Sequence, residues 1–454
     1  MEAKNGSYIT LYLRDYIFKY RISSMREVPL SVTDAAVSPS SVKRLSKVKV
    51  LTFASIGNSL ELYDFSLYGI MLPFLAPLFF PAESPLMSLF IAWLSFAITF
   101  CIAPVGSIFW GWYGDKFGRV PMLRLSLITM AVPSLGIALL PTYDTIGLFA
   151  PAILIILRIM QGVSASGEIM GAKIFAMEAL GARNHGLCSG IISCAGAFGV
   201  LLAMSMAYAT STHETIENFW RIPFFIGSCL FVVARLWRTY LAKAFTSQQR
   251  STFEQPVHQE LFAIITNQPY SSIIVFMLGA LLGILTYSMH AFLNPFLVQQ
   301  GVEATEVYQF SIYGLISTMA FAILTGIYLD NGKNLKHTNR VIITLIALLA
   351  FPLFILIQYG GLFTLLSYLI LAGLLGMYAC SAAVIMYRSF APTIRCRGVM
   401  FNYAMGCAIF GGLTPLLLNI AVGFNPLLPG LIVSLAALSI NIFLKWGLKH
   451  ATLF

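Results

Sequence analysis

Long apolar runs recur a dozen times along this chain, and Lys and Arg gather in every second gap between them. Lys43, Arg44, Lys47 and Lys49 precede the first run, and Lys116, Arg119 and Arg124 follow the second. Arg183 follows the fourth, and Arg235, Arg238, Lys243 and Arg250 follow the sixth. Lys333, Lys336 and Arg340 follow the eighth, Arg388, Arg395 and Arg397 the tenth, and Lys445 and Lys449 the last. The intervening gaps hold Glu83, Asp144, Glu214, Glu217, Glu303 and Glu306, with no Lys or Arg except Arg221 at a run's edge. Roughly 20 apolar residues suffice for a helix to cross a bilayer. Backbone groups inside lipid must be paired within the segment, so the spans are expected to be helices. Continuous rather than alternating apolarity argues against a β-barrel. The alternation of charge is the positive-inside bias, which predicts both termini in the cytoplasm and an even number of spans, counted as 12.

The spans read as Val50 to Phe80, Leu86 to Tyr113, Met122 to Leu140, Thr145 to Met177, Leu187 to Tyr208 and Phe219 to Leu241. After a polar stretch come Ser271 to Val298, Tyr308 to Leu329, Val341 to Ile357, Leu362 to Tyr387, Val399 to Val422 and Leu427 to Trp446. The chain therefore divides into a cytoplasmic segment 1–49, a six-helix bundle 50–242, a linker 243–268, a second bundle 269–447 and a tail 448–454. Met25 is a candidate start, since everything the fold needs lies after it. Charged residues make up 10% of the chain, too few to cover a globular surface, which carries about 25%. The net charge of +10 sits in the gaps and predicts no nucleic-acid partner. The seven cysteines lie mostly in apolar runs without a CxxC pair, which predicts buried free thiols and no metal site.

Charge inside the runs marks candidate chemistry. The first span holds Asn58-Ser-Leu-Glu61-Leu-Tyr63-Asp64. Glu61 and Asp64 share a helix face, and two close carboxylates do not both ionise without cost, so one is a candidate to take and release a proton. The fourth span places Arg158, Gln161 and Glu168 within about 80° of one another on a helical wheel. Arg158 has three open readings: pairing with Glu61 or Asp64, binding a substrate carboxylate, or serving as a permanent strut. Lys173 and Glu178 read as interfacial gating or snorkelling residues. His290 reads as a packing residue of the seventh span, and Tyr287 and Tyr403 as packing or cavity-lining residues.

Between the second and third runs lies Gly111-Trp-Tyr-Gly-Asp115-Lys116-Phe-Gly118-Arg119, a charged glycine-bearing turn. A degraded copy, Gly326-Ile-Tyr-Leu-Asp330-Asn-Gly-Lys333, follows the eighth run, at the same place in the second half. An Asp at a helix end can cap another helix's amino terminus. Such contacts can form in one conformation and break in another.

This signature resembles that of the major facilitator superfamily. GNSLELYDFSLYG in the first span, RIMQGVSASGE in the fourth and Trp220-Arg221-Ile222-Pro223-Phe224 resemble its metabolite–proton symporter branch, which includes carriers of proline and betaine, 2-oxoglutarate, citrate and shikimate. Leu62, Ser166 and Val120 depart from the usual residues. The resemblance implies an all-α membrane protein of two pseudo-symmetric six-helix bundles, acting by alternating access in the cell inner (cytoplasmic) membrane. It implies proton-driven uptake of a small zwitterion or organic acid by a monomer, with no cofactor besides the proton gradient, and no enzyme activity. An exchanger, a uniporter and a transporter-like sensor are the alternatives. Glu61, Asp64, Arg158, Gln161, Glu168, Asn58 and Tyr63 become candidates for proton coupling or substrate binding. Gly111, Asp115, Lys116, Gly118, Arg119 and Asp330 become candidate gating residues.

Overall fold

A computed structural model describes residues 46–212, 219–243 and 261–450. The Met25 start, the segment before residue 46 and most of the linker therefore lie outside the described residues. Twelve helices are long and apolar enough to cross a membrane. They are α1 (Lys47–Phe79), α2 (Pro85–Phe117), α3 (Arg119–Leu139), α4 (Phe149–Leu180), α5 (His185–Thr212) and α6 (Arg221–Ala242). The second half holds α7 (Pro269–Gln299), α8 (Ala304–Asp330), α9 (Leu335–Ile357), α10 (Gly361–Arg388), α11 (Arg395–Phe424) and α12 (Leu428–His450). Local chemistry sets several boundaries. Ser84 accepts from the Met87 amide at 3.2 Å, with Pro85 in the first turn, where its missing N–H costs nothing. Asn334 caps α9 by accepting from His337 N at 3.1 Å.

Three boundaries differ from the sequence expectation. The Gly111–Arg119 stretch is no open loop. Helix α2 runs on to Phe117 and α3 starts at Arg119, with one residue, Gly118 at φ 96°, making the corner. The helices extend because the buried charges there find partners on other helices. The fourth span is broken: its segments Phe149–Ala165 and Ile169–Leu180 flank a turn at 166–168. The Gly167 amide bonds Ser164 O at 3.3 Å, and Trp110 Nε1 (2.7 Å) and Ser166 Oγ (2.8 Å) take the Val163 carbonyl instead. Helices α7 and α11 each contain a π turn, Ser288–Phe292 and Cys407–Gly411. Such turns accommodate one extra residue and recur at functional sites.

The same neighbours recur in both halves. Helix α1 packs on α5, α2 on α4, α3 on α6 and α3 on α4; correspondingly α7 packs on α11, α8 on α10, α9 on α12 and α9 on α10. The halves meet along α2–α11 and α5–α8, with α5 also touching α10. Glycine allows the closest approach: a Cβ on Gly326 would stand 2.5 Å from Gly186 O, and one on Gly190 2.6 Å from Ala322 O. Leu236, Leu348 and Ile442 are exposed, as lipid-facing side chains of a multi-pass membrane protein are. Cys101 and Cys229 are also exposed, contrary to the expectation of burial, because an apolar run has a lipid face as well as a core face.

Candidate functional site

Buried charge is confined almost wholly to the first half. Among the described residues, Glu61, Asp64, Arg119, Arg158, Glu168, Lys173 and Arg238 are buried within its spans. The second half buries only Arg395, near the start of α11.

The first cluster joins α1, α3 and α4. Asp64 is fully buried, and its two oxygens accept from Ser134 Oγ and Gln161 Nε2, each at 2.5 Å. Gln161 turns its Oε1 to Arg158 Nη1 at 2.6 Å. Arg158 therefore reaches Asp64 through Gln161, rather than by the direct pairing that was one sequence reading. Its guanidinium carbon lies 3.9 Å from the centre of the Tyr68 ring, whose hydroxyl is 2.6 Å from Ser95 Oγ. Arg158 Nε and Nη2 are buried and have no hydrogen-bond partner among the described residues. Together they form the side-on edge that binds a carboxylate in two parallel hydrogen bonds.

The second cluster lies about two turns along α1, at Gly57. Arg238 of α6 bonds both Glu168 oxygens and donates to Phe53 O at 2.8 Å and Leu123 O at 2.5 Å. Ser126 Oγ donates to Glu168 Oε2 at 2.7 Å. Gly57 leaves room for this pair, since a Cβ there would collide with Glu168 Oε1 and Arg238 Nη2. Gly57→Val is expected to lose about 3 kcal/mol or more by overpacking a buried ion pair. Gly423→Val, with nothing within 4 Å, is the control. Equal yields of monodisperse detergent-solubilised protein for the two variants would contradict this role. Glu61 is 2% exposed and neither of its oxygens has a hydrogen-bond partner among the described residues. It lines a cavity of about 10 Å³ with Glu168, Ser126 and Ser164, room for a single water at most.

The remaining candidates of α1 face backbone. Asn58 Nδ2 donates to Ile192 O and Tyr63 OH to Pro223 O, both at 2.8 Å, tying α1 to α5 and α6. His290 lies in the π turn of α7. Tyr287, just before that turn, meets Phe100 of α2 edge-on at 4.8 Å between ring centres, a contact between the halves.

A third cluster closes one end of the interface. Asp115 accepts from the Cys396 and Arg397 amides at 3.0 Å each, capping α11. It also pairs with Arg119 and Arg397, each at 3.1 Å. Arg119 continues to Glu178 at 3.1 Å and Pro392 O at 2.8 Å, and Glu178 meets Arg395 at 2.8 Å. Asp330 does the equivalent for α5, accepting from the Gly186 and Leu187 amides at 2.8 Å each. Gly111 and Gly114 let α2 approach α11, where Cβ atoms would stand 2.8 Å from Arg397 Cα and 3.2 Å from Cys396 Sγ. Lys116 takes no part in this network; its ammonium lies 4.8 Å from the Trp112 ring centre.

Sequence reasoning missed Arg238, which it counted among the loop charges. The signal was present: Leu241 and Ala242 follow it, so the apolar run encloses it. Ser126 and Ser134 carried no signal, because a serine in a span is unremarkable until its neighbour is known.

A model of the family described as the Major Facilitator Superfamily matches residues 54–415. The proline/betaine transporter of Escherichia coli (strain K12) is 36% identical over 205 residues, 44% of this chain and 41% of that protein, so the match spans about two fifths of that relative. The citrate-proton symporter of Salmonella typhi is 31% identical over 371 residues, 79% of this chain and 84% of that protein. A solved structure of the proton:xylose symporter XylE bound to 6-bromo-6-deoxy-D-glucose superposes with a TM-score of 0.71 at 15% identity, covering 88% of this chain and 95% of that one.

Proposed function

The chain belongs to the Major Facilitator Superfamily, and on that premise we propose that it is a secondary carrier, moving a small carboxylate-bearing solute together with a proton by alternating access. The observation that carries this reading is the contrast between two carboxyl groups one helical turn apart. Asp64 accepts two short hydrogen bonds, which favour its ionised form. Glu61 accepts none from any described group. An ionised carboxylate in Glu61's setting is uncompensated at a cost of several kcal/mol, which a proton removes. Glu61 is therefore the proton carrier, and Asp64 the fixed anion that orients Gln161 and, through it, Arg158.

Arg158 binds the solute. Two buried donors without partners cost free energy, and a substrate carboxylate satisfies both at once. Solutes of this kind include the proline, betaine and citrate that the relatives' names carry. The positive-inside bias places the Asp115 end on the cytoplasmic side, and the bacterial relatives support an inner membrane as its location.

The test is uptake into proteoliposomes under an imposed inward proton gradient. Labelled proline, betaine, 2-oxoglutarate, citrate and shikimate are offered, each with and without a protonophore. Accumulation of at least one, collapsing with the protonophore, is the expected result. Equilibration without accumulation for every carried solute would instead make the protein a uniporter or exchanger.

A further inference from the structure

Two buried cations of this protein contact no carboxylate among the described residues. Arg119, Arg238, Arg395 and Arg397 all form ion pairs. Arg158 and Lys173 do not, and both belong to α4. Arg158 is the substrate residue of the reading above. Lys173 is 5% exposed, and its ammonium has one hydrogen bond among the described residues, to Ser193 Oγ of α5 at 2.9 Å. An ammonium carries three donors, and a hydroxyl supplies no charge to offset burial. A packing role at this position is served better by an uncharged side chain.

Its position supplies the missing partner. The second segment of α4, Ile169–Leu180, packs against α10 and α11 of the other half. Ser189 Oγ of α5, one turn before Ser193, donates to Cys380 O of α10 at 2.8 Å. Lys173 thus lies where the halves are shut against each other, on the side of Arg158 towards Asp115. Parting of α4 and α5 from α10 and α11 brings it to the opened passage. Arg158 and Lys173 are 15 residues apart on either side of the turn at 166–168, on the order of 20 Å along α4. A small solute cannot touch both at once.

We propose that Lys173 is a second carboxylate-binding residue on the transport route, engaged from the Asp115 side once the solute has left Arg158. This rests on the carboxylate-carrier reading, and extends it with a residue to which that reading gives no part. The two cations on one helix mark successive positions of the same carboxylate.

The test measures labelled glycine betaine and labelled citrate with each face of the protein presented in turn, using everted and right-side-out vesicles. Lys173→Gln is expected to raise the half-saturating concentration about tenfold from the Asp115 side, a 1.4 kcal/mol loss. From the opposite side it should stay within about twofold of the parent. Lys173→Arg, which keeps the charge, is expected to recover most of the loss. An equal shift from both sides, or none from either, overturns the assignment. If the parent carries neither probe nor any other of the five solutes above, the carrier reading fails on its own. Binding of the probes to the same vesicles then decides the Lys173 assignment: dependence on Lys173 at the Asp115 face sustains it, and independence or absence of binding overturns it.

Discussion

Replacing Glu61 by glutamine is expected to abolish accumulation while leaving exchange running. An inward gradient of one pH unit supplies about 1.4 kcal/mol per proton, and a potential of 100 mV, inside negative, about 2.3 kcal/mol per charge. For a zwitterion carried with one proton, the sum of about 3.7 kcal/mol supports a roughly 500-fold accumulation. Glutamine has the size of glutamic acid but gives up no proton. The variant's steady-state ratio should fall to about one, with exchange of labelled for unlabelled substrate within about threefold of the parent. Accumulation at the parent's level in Glu61→Gln would remove this residue from proton coupling. Asp64→Asn should behave differently. It removes the charge from a group that accepts from Ser134 and Gln161, and a hydrogen bond to a charged group contributes about 1.5–3 kcal/mol. Its main effect is expected on the half-saturating concentration, because Gln161 and Arg158 lose their anchor. A matched loss of accumulation in both variants, with unchanged half-saturation, would contradict the division of labour.

The second large effect is expected at Asp115. Its side chain and that of Arg119 are both fully buried, and one carboxylate serves two guanidinium groups and two amides. Asp115→Asn leaves Arg119 and Arg397 short of charge, and breaking a buried pair costs about 3–5 kcal/mol. That cost falls on the conformation in which this end is shut. A shift of about 3 kcal/mol moves the opening equilibrium roughly 150-fold. Hydrogen exchange at the Cys396 and Arg397 amides is expected to quicken by about that factor. Asp330→Asn should quicken exchange at Gly186 and Leu187 far less, because that cap forms no ion pair among the described residues. Loss of a cap alone costs about 1 kcal/mol. Unchanged protection at Cys396 and Arg397 in Asp115→Asn would show that the closed end does not depend on this carboxylate.

The two caps also explain why the repeated motif decayed unevenly. Both copies keep the Asp, since each must meet the free amides that begin a helix of the opposite half. The first copy keeps Arg119, which reaches Glu178 and Pro392 O. The second has Asn334 at the corresponding position, which caps its own helix α9 instead. One interface is thus latched by charge. The other is closed by glycine-to-glycine contact at Gly186 and Gly326.

Much of this protein is legible in sequence. Hydropathy and the placement of charge are local properties, and they suffice for the membrane and the number of spans. The same holds for Glu61, Asp64, Arg158 and Glu168 as candidates, because a charge inside an apolar run stands out without any knowledge of its neighbours. The partners do not stand out. Glu168 finds Arg238 at a separation of 70 residues, Asp64 finds Gln161 at 97, and Arg119 finds Pro392 at 273. Which carboxyl is left without a hydrogen bond depends on how α1, α3, α4 and α6 are rotated against one another, and side-chain packing between helices sets that rotation. Sequence alone determined that buried charge exists and on which helices. Only the tertiary structure decided that Glu168 is spent on Arg238, that Asp64 is held by Ser134 and Gln161, and that Glu61 is the carboxyl left without a hydrogen-bond partner among the described residues. The reason is that desolvation is a property of one residue, whereas its compensation is a property of two.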